Sequence, residues 1–226
     1  TLAYFQAQAR AVTKEDYITR VYALPAKYGN ISKAYIVQDT QLDSKAGANS
    51  NNRVINPLAL NLYILGFDAS KKLTNVNRAV KENIQTYLTQ FRMVTDAVNI
   101  QNAFIINIGV KFNLLTKTGY NKDEVVLRAI QKVKDFFDVD KWQIGQPIVI
   151  ADLAYQISLT DGVSAVVAPS ENNSDGLPIL IENLYDIKGA TQNGVVYPSL
   201  DPSIFELKYP NIDIEGRVIG DSGGGS

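Results

Sequence analysis

The chain has 226 residues, of which 46% are hydrophobic, and its 22 basic and 23 acidic residues leave a net charge of −1. This length and composition allow one large or two small globular domains, and the near-zero charge gives no electrostatic basis for binding nucleic acid or an anionic membrane. The chain contains neither Cys nor His, which excludes disulfides, thiolate zinc sites and catalysis by Ser-His-Asp or Cys-His pairs. No apolar run approaches the ~20 residues of a membrane helix.

The first segment, residues 1–68, is typical of a βαββ subdomain. Thr13 followed by Asp16 predicts a helix start with a capping box. One apolar stripe on this helix is formed by Tyr17, Ile18, Val21 and Tyr22. Its two tyrosines are interpreted as core-facing aromatics rather than as a ligand-stacking platform. Alternating or β-branched residues predict strands over residues 31–38 and 58–64.

Residues 39–57 form a long polar connection, which is typical of a functional or disordered loop. Asp39 and Asp43 raise the possibility of a calcium loop, but the regular acidic ladder and the closing Glu of such loops are missing. The same loop, beside tyrosines such as Tyr63 that we expect to be exposed, also allows a carbohydrate- or receptor-binding module as an alternative.

The second segment, residues 69–169, begins with a helix that we expect Asn75 to cap. Its apolar stripe consists of Val76, Val80, Ile84, Tyr87, Leu88 and Phe91. A strand is expected within residues 92–98, paired with a long central strand over residues 104–114. In that central strand apolar side chains alternate with polar ones, so that one face is buried.

A second long helix is predicted after the turn at residues 118–120. Asn121 caps it, Asp123 lies in its first turn, and Glu124 and Arg128 are spaced for an ion pair. Its apolar stripe consists of Val126, Ile130, Val133 and Phe137, widened by Val125, Ala129 and Phe136. The acidic side chains Asp135, Asp138 and Asp140 are interpreted as solvated residues near the helix end rather than as a metal site.

The core module closes with a short helix over residues 152–159, a turn at Asp161 and Gly162, and a strand over residues 163–167. The expected fold class is α+β, with mixed or antiparallel sheets that carry helices on one face, two small subdomains and an extended C-terminal arm.

That arm is the third segment, residues 170–226. Five of the eight prolines lie at residues 169–210, and only short extended pieces and an Asn193-Gly194 hairpin signal remain. We expect the arm to dock against its own domain or a neighbour, to contribute more to association than to folding, and to end in a flexible tail. The interface candidates are Tyr185, Tyr197, Phe205 and Tyr209.

No catalytic, cofactor or metal site is predicted, because nucleotide-binding, metalloprotease and hydrolase motifs are absent. A carboxylate hydrolase built on the acidic residues near Asp135 is the weakest alternative. The chain begins at Thr1 without Met or a signal-peptide pattern, which predicts a piece of a longer protein.

Three stretches resemble one family. Residues 10–17 (RAVTKEDY) resemble the opening of the second half of baseplate J-like proteins. The central strand through QPI at 146–148 to DGV at 161–163 is similar to their carboxy-terminal module. A third stretch, with YDIKGAT at 185–191, PSLDP at 198–202 and EGRVI at 215–219, is similar to the long baseplate wedge proteins of T-even-type contractile-tailed phages. Where that family has Ser or Thr capping the short helix, this chain has Ala151, so another group must satisfy those amides.

This resemblance implies a structural, non-enzymatic subunit of a phage tail baseplate. It implies contacts with other copies of the chain, as a homodimer, and with other wedge proteins in a ring around the central hub. That ring rearranges during sheath contraction. The implied location is the virion, after assembly in the host cytoplasm. Neither nucleic acid nor a membrane is an expected partner.

Overall fold

The structure is a computed structural model that describes residues 10–25, 28–38, 59–92, 97–169, 176–183, 187–198 and 202–221. The chain forms two compact units: unit 1 is Thr1–Ile105 with Leu200–Ser203, and unit 2 is Ile106–Ser199 with Ile204–Ser226. The boundaries expected from the sequence, after residues 68 and 169, fall inside unit 1 and unit 2 respectively.

The helices and strands are numbered in chain order. The helices are α1 Lys14–Tyr22, α2 Arg78–Thr89, α3 Lys122–Phe136, α4 Ile150–Ser158 and the single turn α5 Ile187–Ala190. The strands are β1 Lys33–Gln38, β2 Ala59–Phe67, β3 Leu73–Thr74, β4 Ala97–Asn102, β5 Phe104–Asn107, β6 Gly109–Thr116, β7 Ile148–Val149, β8 Val163–Val167, β9 Ile179–Glu182, β10 Thr191–Gln192, β11 Val195–Val196, β12 Ser203–Glu206 and β13 Ile214–Asp221.

Helix α1 begins with the predicted capping box. The Thr13 hydroxyl accepts a hydrogen bond from the Asp16 amide, and the Asp16 carboxylate accepts one from the Thr13 amide. The hydrogen bonds from the Thr13 and Val12 amides stabilise the charged carboxylate and lower the pKa of Asp16. Tyr17 and Val21 are buried, as the stripe predicts.

Unit 1 is built on β2, which pairs antiparallel with β1 and parallel with β4. Helices α1 and α2 pack on this sheet. Their buried stripes meet it in one core, formed by Ala11, Tyr17, Val21, Leu24, Ile36, Leu62, Ile64, Val76, Ile84, Leu88 and Val98. The predicted stripe of α2 is therefore the one that faces the core.

Two predictions in unit 1 are wrong in detail. Asn77, not Asn75, caps α2: its side chain accepts a 2.9 Å hydrogen bond from the Val80 amide. Val76 lies outside the helix: its amide donates to the Asn102 side chain, and its carbonyl oxygen accepts a hydrogen bond from that side chain and not from the Val80 amide. The strand after α2 is β4, and it pairs in parallel with β2 over six residues. It does not pair with the central strand.

The sheet of unit 2 is organised around β6. Strand β13 lies parallel to it on one side, and β9 and β8 lie antiparallel along successive halves of the other side. Val110, Phe112, Leu114 and Thr116 are buried, in agreement with the predicted alternation. The single long strand expected over residues 104–114 is nevertheless interrupted: the Ile108 amide donates to the Glu206 carbonyl oxygen, and the preceding strand β5 pairs with β12.

Helices α3 and α4 pack against each other, α3 on β13 and β6 and α4 on β8 and β9. Asn121 caps α3 as predicted, accepting a 3.0 Å hydrogen bond from the Asp123 amide. Helix α4 begins at Ile150, earlier than the sequence indicates, and has no side-chain cap. The carbonyl oxygen of Gly194 accepts the Ile150 amide instead, at 3.0 Å.

The segment expected to be an extended arm supplies strands to this architecture. Strands β9 and β13 flank β6, and β10 and β11 form the predicted hairpin, which continues onto β7. Asn193 and Gly194 both have positive φ, as a tight hairpin turn requires. Within the described residues these strands pair with their own chain, so they contribute to folding as well as to the surface.

The architecture is α+β with parallel and antiparallel strand pairs, which confirms the predicted fold class. None of the helices in the described ranges is long and apolar enough to cross a membrane.

Candidate docking surface

The interface residues predicted from the sequence fall into three groups: exposed, buried, and outside the described residues. Tyr197 is 46% exposed and Tyr209 is 51% exposed, so both are available for contact. Phe205, in β12, is only 3% exposed and belongs to the interior of its own chain. Tyr185 lies outside the described residues. Of the four predicted candidates, the structure therefore places two on the surface of unit 2.

Tyr197 follows the β10–β11 hairpin, and its backbone is fixed. Its amide donates a 3.0 Å hydrogen bond to the carbonyl oxygen of Ala190, at the end of α5. The preceding strand is held against β7, with Val196 opposite Ile148. Tyr197 thus presents an aromatic side chain from an ordered backbone, which lowers the entropy lost when such a residue enters an interface.

Tyr209 lies in the turn between β12 and β13, residues 207–213, which we call the β12–β13 turn. Its amide donates to the Asp213 carboxylate at 2.6 Å, and its carbonyl oxygen accepts the amides of Ile212 and Asp213, each at 2.8 Å. These bonds close the turn on itself. Ile212, 80% exposed, lies near the end of this turn.

Two further contacts attach the β12–β13 turn to the body of unit 2. The Val110 amide donates to the Asp213 carbonyl oxygen at 2.7 Å, and Lys134 Nζ in α3 donates to Asn211 Oδ1 at 2.8 Å. A turn held this way displays Tyr209 and Ile212 as a fixed apolar projection, which is a property of interface anchors.

Charged side chains form a network on the face of the unit 2 sheet opposite the core. Lys111 Nζ, in β6, lies 3.0 Å from Glu182 Oε2 and 3.6 Å from Glu215 Oε2. The hydrogen bond to Glu182 raises the pKa of Lys111, and the hydrogen bond from Arg217 lowers the pKa of Glu215. These groups are partly solvated, so they set the charge pattern of this face more than they set stability.

The acidic residues considered as a metal or hydrolase site do not converge. Asp135 accepts a hydrogen bond from Gln131 Nε2, while Asp138 accepts one from the Asp140 amide and lies 3.5 Å from Lys141 Nζ. Among the described residues, no group of three or more acidic side chains is arranged to hold a metal ion. Asp39 and Asp43 lie outside the described residues.

The carbohydrate-binding alternative loses the aromatic residue that suggested it. Tyr63 is buried in β2 and is not exposed beside the polar loop. The loop itself, residues 39–57, lies outside the described residues. Tyr22, which the sequence assigned to the core, is exposed, and its hydroxyl accepts a hydrogen bond from the Ala34 amide.

Strand β13 and the exposed residues Ile212 and Ile219 were not predicted from the sequence. The alternation was present in the sequence: Ile214, Gly216 and Val218 lie opposite the buried residues of β6, whereas Glu215 and Arg217 lie on the other face. Two glycines in this stretch obscured the pattern. Gly216 is needed because a β-carbon there would lie 2.7 Å from the ring of Phe112.

No family model matches the chain, and no curated protein sequence matches it. Among solved structures, this chain is similar to a chain of the anti-feeding prophage (AFP) baseplate, determined by cryo-EM with 6-fold symmetry, with a TM-score of 0.54 and 10% sequence identity. The similarity covers 88% of this chain and 38% of that chain. The two chains therefore share a fold, and this chain spans well under half of the larger protein's length.

Proposed function

We propose that this chain is a structural subunit of a contractile-tail baseplate, in the position of a wedge protein, and has no catalytic role. The observation that carries the proposal is the fold shared with a chain of the anti-feeding prophage baseplate over 88% of the present chain. The three stretches that resemble baseplate J-like and long baseplate wedge proteins support it independently, because that resemblance rests on the residues and not on the fold.

The surface of unit 2 supports a role in contact. Tyr197, Tyr209 and Ile212 project from backbone segments that hydrogen bonds hold in place. Partly buried aromatic residues on rigid segments are the residues that contribute most to binding energy in protein interfaces. Such a surface needs no bound cofactor and no substrate.

The proposed partners are other copies of this chain, as a homodimer, and other wedge proteins. In a closed ring, repeated copies meet through two-fold contacts or through head-to-tail contacts that close after a full turn. The proposed location is the baseplate of the virion, after assembly in the host cytoplasm. There the subunit would hold the ring before sheath contraction and rearrange with it.

The test is co-expression of this chain with the products of adjacent tail genes, followed by affinity purification and mass measurement in solution. We expect a stable complex that contains this chain. The double variant Tyr197→Ala with Tyr209→Ala should raise the Kd of that complex at least tenfold. Tyr155→Ala serves as the control, because Tyr155 is 62% exposed on α4, away from both tyrosines in sequence. A chain that elutes alone under all these conditions would contradict the proposal.

A further inference from the structure

Strand β13 is an edge strand of the unit 2 sheet. It pairs with β6 over residues 214–221, and its other side pairs with no strand in the described part of the chain. An edge of this length offers a row of backbone amide and carbonyl groups to another strand. The pairing with β6 shifts between Val218 and Gly220, so that a regular edge extends over residues 214–218.

The sequence of this edge is complementary to itself in one antiparallel register. If two copies of β13 pair about a two-fold axis at Gly216, Glu215 of each copy lies opposite Arg217 of the other. Directly opposed residues in an antiparallel pair share a face and interact, and opposite charges there are favourable. Glu215 and Arg217 already share the solvent face within one strand, where they form an ion pair. The pairing would therefore place Glu215 and Arg217 of both copies side by side, with each Glu next to two Arg side chains.

The remaining positions of this register fit as well. Ile214 would lie opposite Val218 on the core side, and Gly216 opposite Gly216, where the small residue lets the backbones approach. The two residues of each pair are identical or lie two or four positions apart in the strand. Their backbone amide and carbonyl groups therefore point to the same side of the strand, as an antiparallel ladder requires. Lys111 would extend the charge row onto β6 in each copy, since it lies opposite Glu215.

Two exposed isoleucines lie just beyond the two ends of this regular edge. Ile212, 80% exposed, precedes β13, and Ile219, 55% exposed, lies where the pairing with β6 shifts. In an antiparallel pair the start of one strand lies beside the end of the other, so Ile212 of one copy and Ile219 of the other flank the same end of the contact. Two apolar contacts, one at each end, would remove these side chains from water.

We infer that the free edge of β13 is the contact between two copies of this chain, an isologous antiparallel pair centred on Gly216. The inference deepens the self-association part of the proposed function and rests on it only for its biological meaning. Five residue pairs make a small contact beside the ~1,200–2,000 Å² of a standard interface. The dimer therefore forms in a concentration-dependent way. Each copy covers the β13 edge of the other, so association stops at two copies.

The experiment uses the whole chain in analytical ultracentrifugation over a range of concentrations and at low and high ionic strength. We expect a monomer–dimer equilibrium that weakens as salt rises. Arg217→Glu alone and Glu215→Arg alone should each raise the dimer Kd at least tenfold, because like charges then oppose each other. An equimolar mixture of the two variants should associate again as a heterodimer, since each Glu once more faces an Arg.

Arg78→Glu is the matched control, because Arg78 is an exposed arginine paired with a glutamate in unit 1, and it should leave Kd unchanged. Fluorescence of Trp142, the single tryptophan of the chain, reports whether unit 2 of each variant is folded. Should Glu215→Arg fail to fold, Ile212→Asp tests the same contact at an exposed residue beside the edge and should also raise Kd at least tenfold.

A monomer at every concentration would overturn the inference. So would single variants that dimerise normally, or two folded single variants that do not associate when mixed. None of these results bears on whether the chain binds the products of adjacent tail genes, so the inference and the proposed function can fail separately.

Discussion

The hydroxyl of Tyr120 donates a 3.0 Å hydrogen bond to Oδ1 of Asp161, which joins the turn before α3 to the turn after α4. Arg128 Nη1 lies 3.5 Å from the other carboxylate oxygen of Asp161. Directly beside this bond, Gly162 approaches the Tyr120 ring closely. The contact fixes the position of α3 relative to α4, and it leads to two predictions.

Gly162→Ala should destabilise unit 2. Gly162 has φ +90°, and a β-carbon there would lie 2.6 Å from Tyr120 Cδ1 and 2.6 Å from Val125 Cγ2. Overpacking of this kind costs about 1–3 kcal/mol, in addition to the strain of a left-handed backbone. Urea unfolding followed by Trp142 fluorescence measures the loss.

Gly119→Ala is the matched control for that prediction. Gly119 has φ +89°, but no atom would lie within 4 Å of an added β-carbon. It therefore carries the backbone strain without the steric clash, and we expect it to cost about 1–3 kcal/mol less than Gly162→Ala. Equal losses in the two variants would show that the contact with Tyr120 and Val125 is unimportant.

The contribution of Tyr120 should depend on pH. The hydrogen bond to Asp161, and then the negative charge of that carboxylate, raise the pKa of Tyr120 above its ordinary value. Because the folded pKa is the higher one, the stabilisation is fully present below the unfolded pKa of about 10 and is lost as pH rises through the folded pKa. Tyr120→Phe should therefore be less stable than the parent at neutral pH. Urea midpoints from circular dichroism should converge in alkaline solution; a constant difference would refute this origin.

Phe205 and Tyr197, predicted together as interface residues, should separate in a stability measurement. Phe205→Ala removes a buried ring and should cost about 3–5 kcal/mol of unfolding free energy. Tyr197→Ala, at a half-exposed site, should cost about 1 kcal/mol or less. Urea unfolding by circular dichroism distinguishes them. A stable Phe205→Ala variant would indicate that β12 contributes little to the fold.

Removal of every residue after Ser170 should abolish the cooperative unfolding of unit 2. This deletion takes away β9 and β13, the strands that flank β6 over residues 109–112 and 110–116. Without them β6 loses all its strand partners on one side and half of those on the other, and α3 loses the strand β13 on which it packs. Trp142 fluorescence during urea titration reports the transition. Deletion of residues 222–226 alone, which follow β13, is the control and should leave the transition unchanged.

The sequence was most informative where one local pattern decides the structure. The Thr13 capping box, the Asn121 cap and the Asn193-Gly194 hairpin depend on residues within four positions of each other, and each formed as predicted. The stripe of α2 and the alternation of β6 also determined which side faces the core.

Long-range pairing could not be obtained in the same way. Nothing in residues 97–102 shows that β4 should pair with β2 rather than with β6, since both have a complementary apolar face. The start of α4 depends on the carbonyl oxygen of Gly194, more than 40 residues later in the chain. For the candidate surface, the sequence pointed to Tyr197 and Tyr209, which are exposed, but also to Tyr63 and Phe205, which are buried, and it did not point to the exposed Ile212.

Strand β6 meets its parallel neighbour only after a long intervening stretch: Val110 pairs with Ile214. During synthesis on the ribosome, β6 emerges long before β13, so the nascent chain carries an apolar strand that lacks one neighbour until translation passes residue 221. Contacts this distant in sequence make folding slow, because loop closure must precede them. Chaperone protection during that interval would limit aggregation of the unfinished sheet.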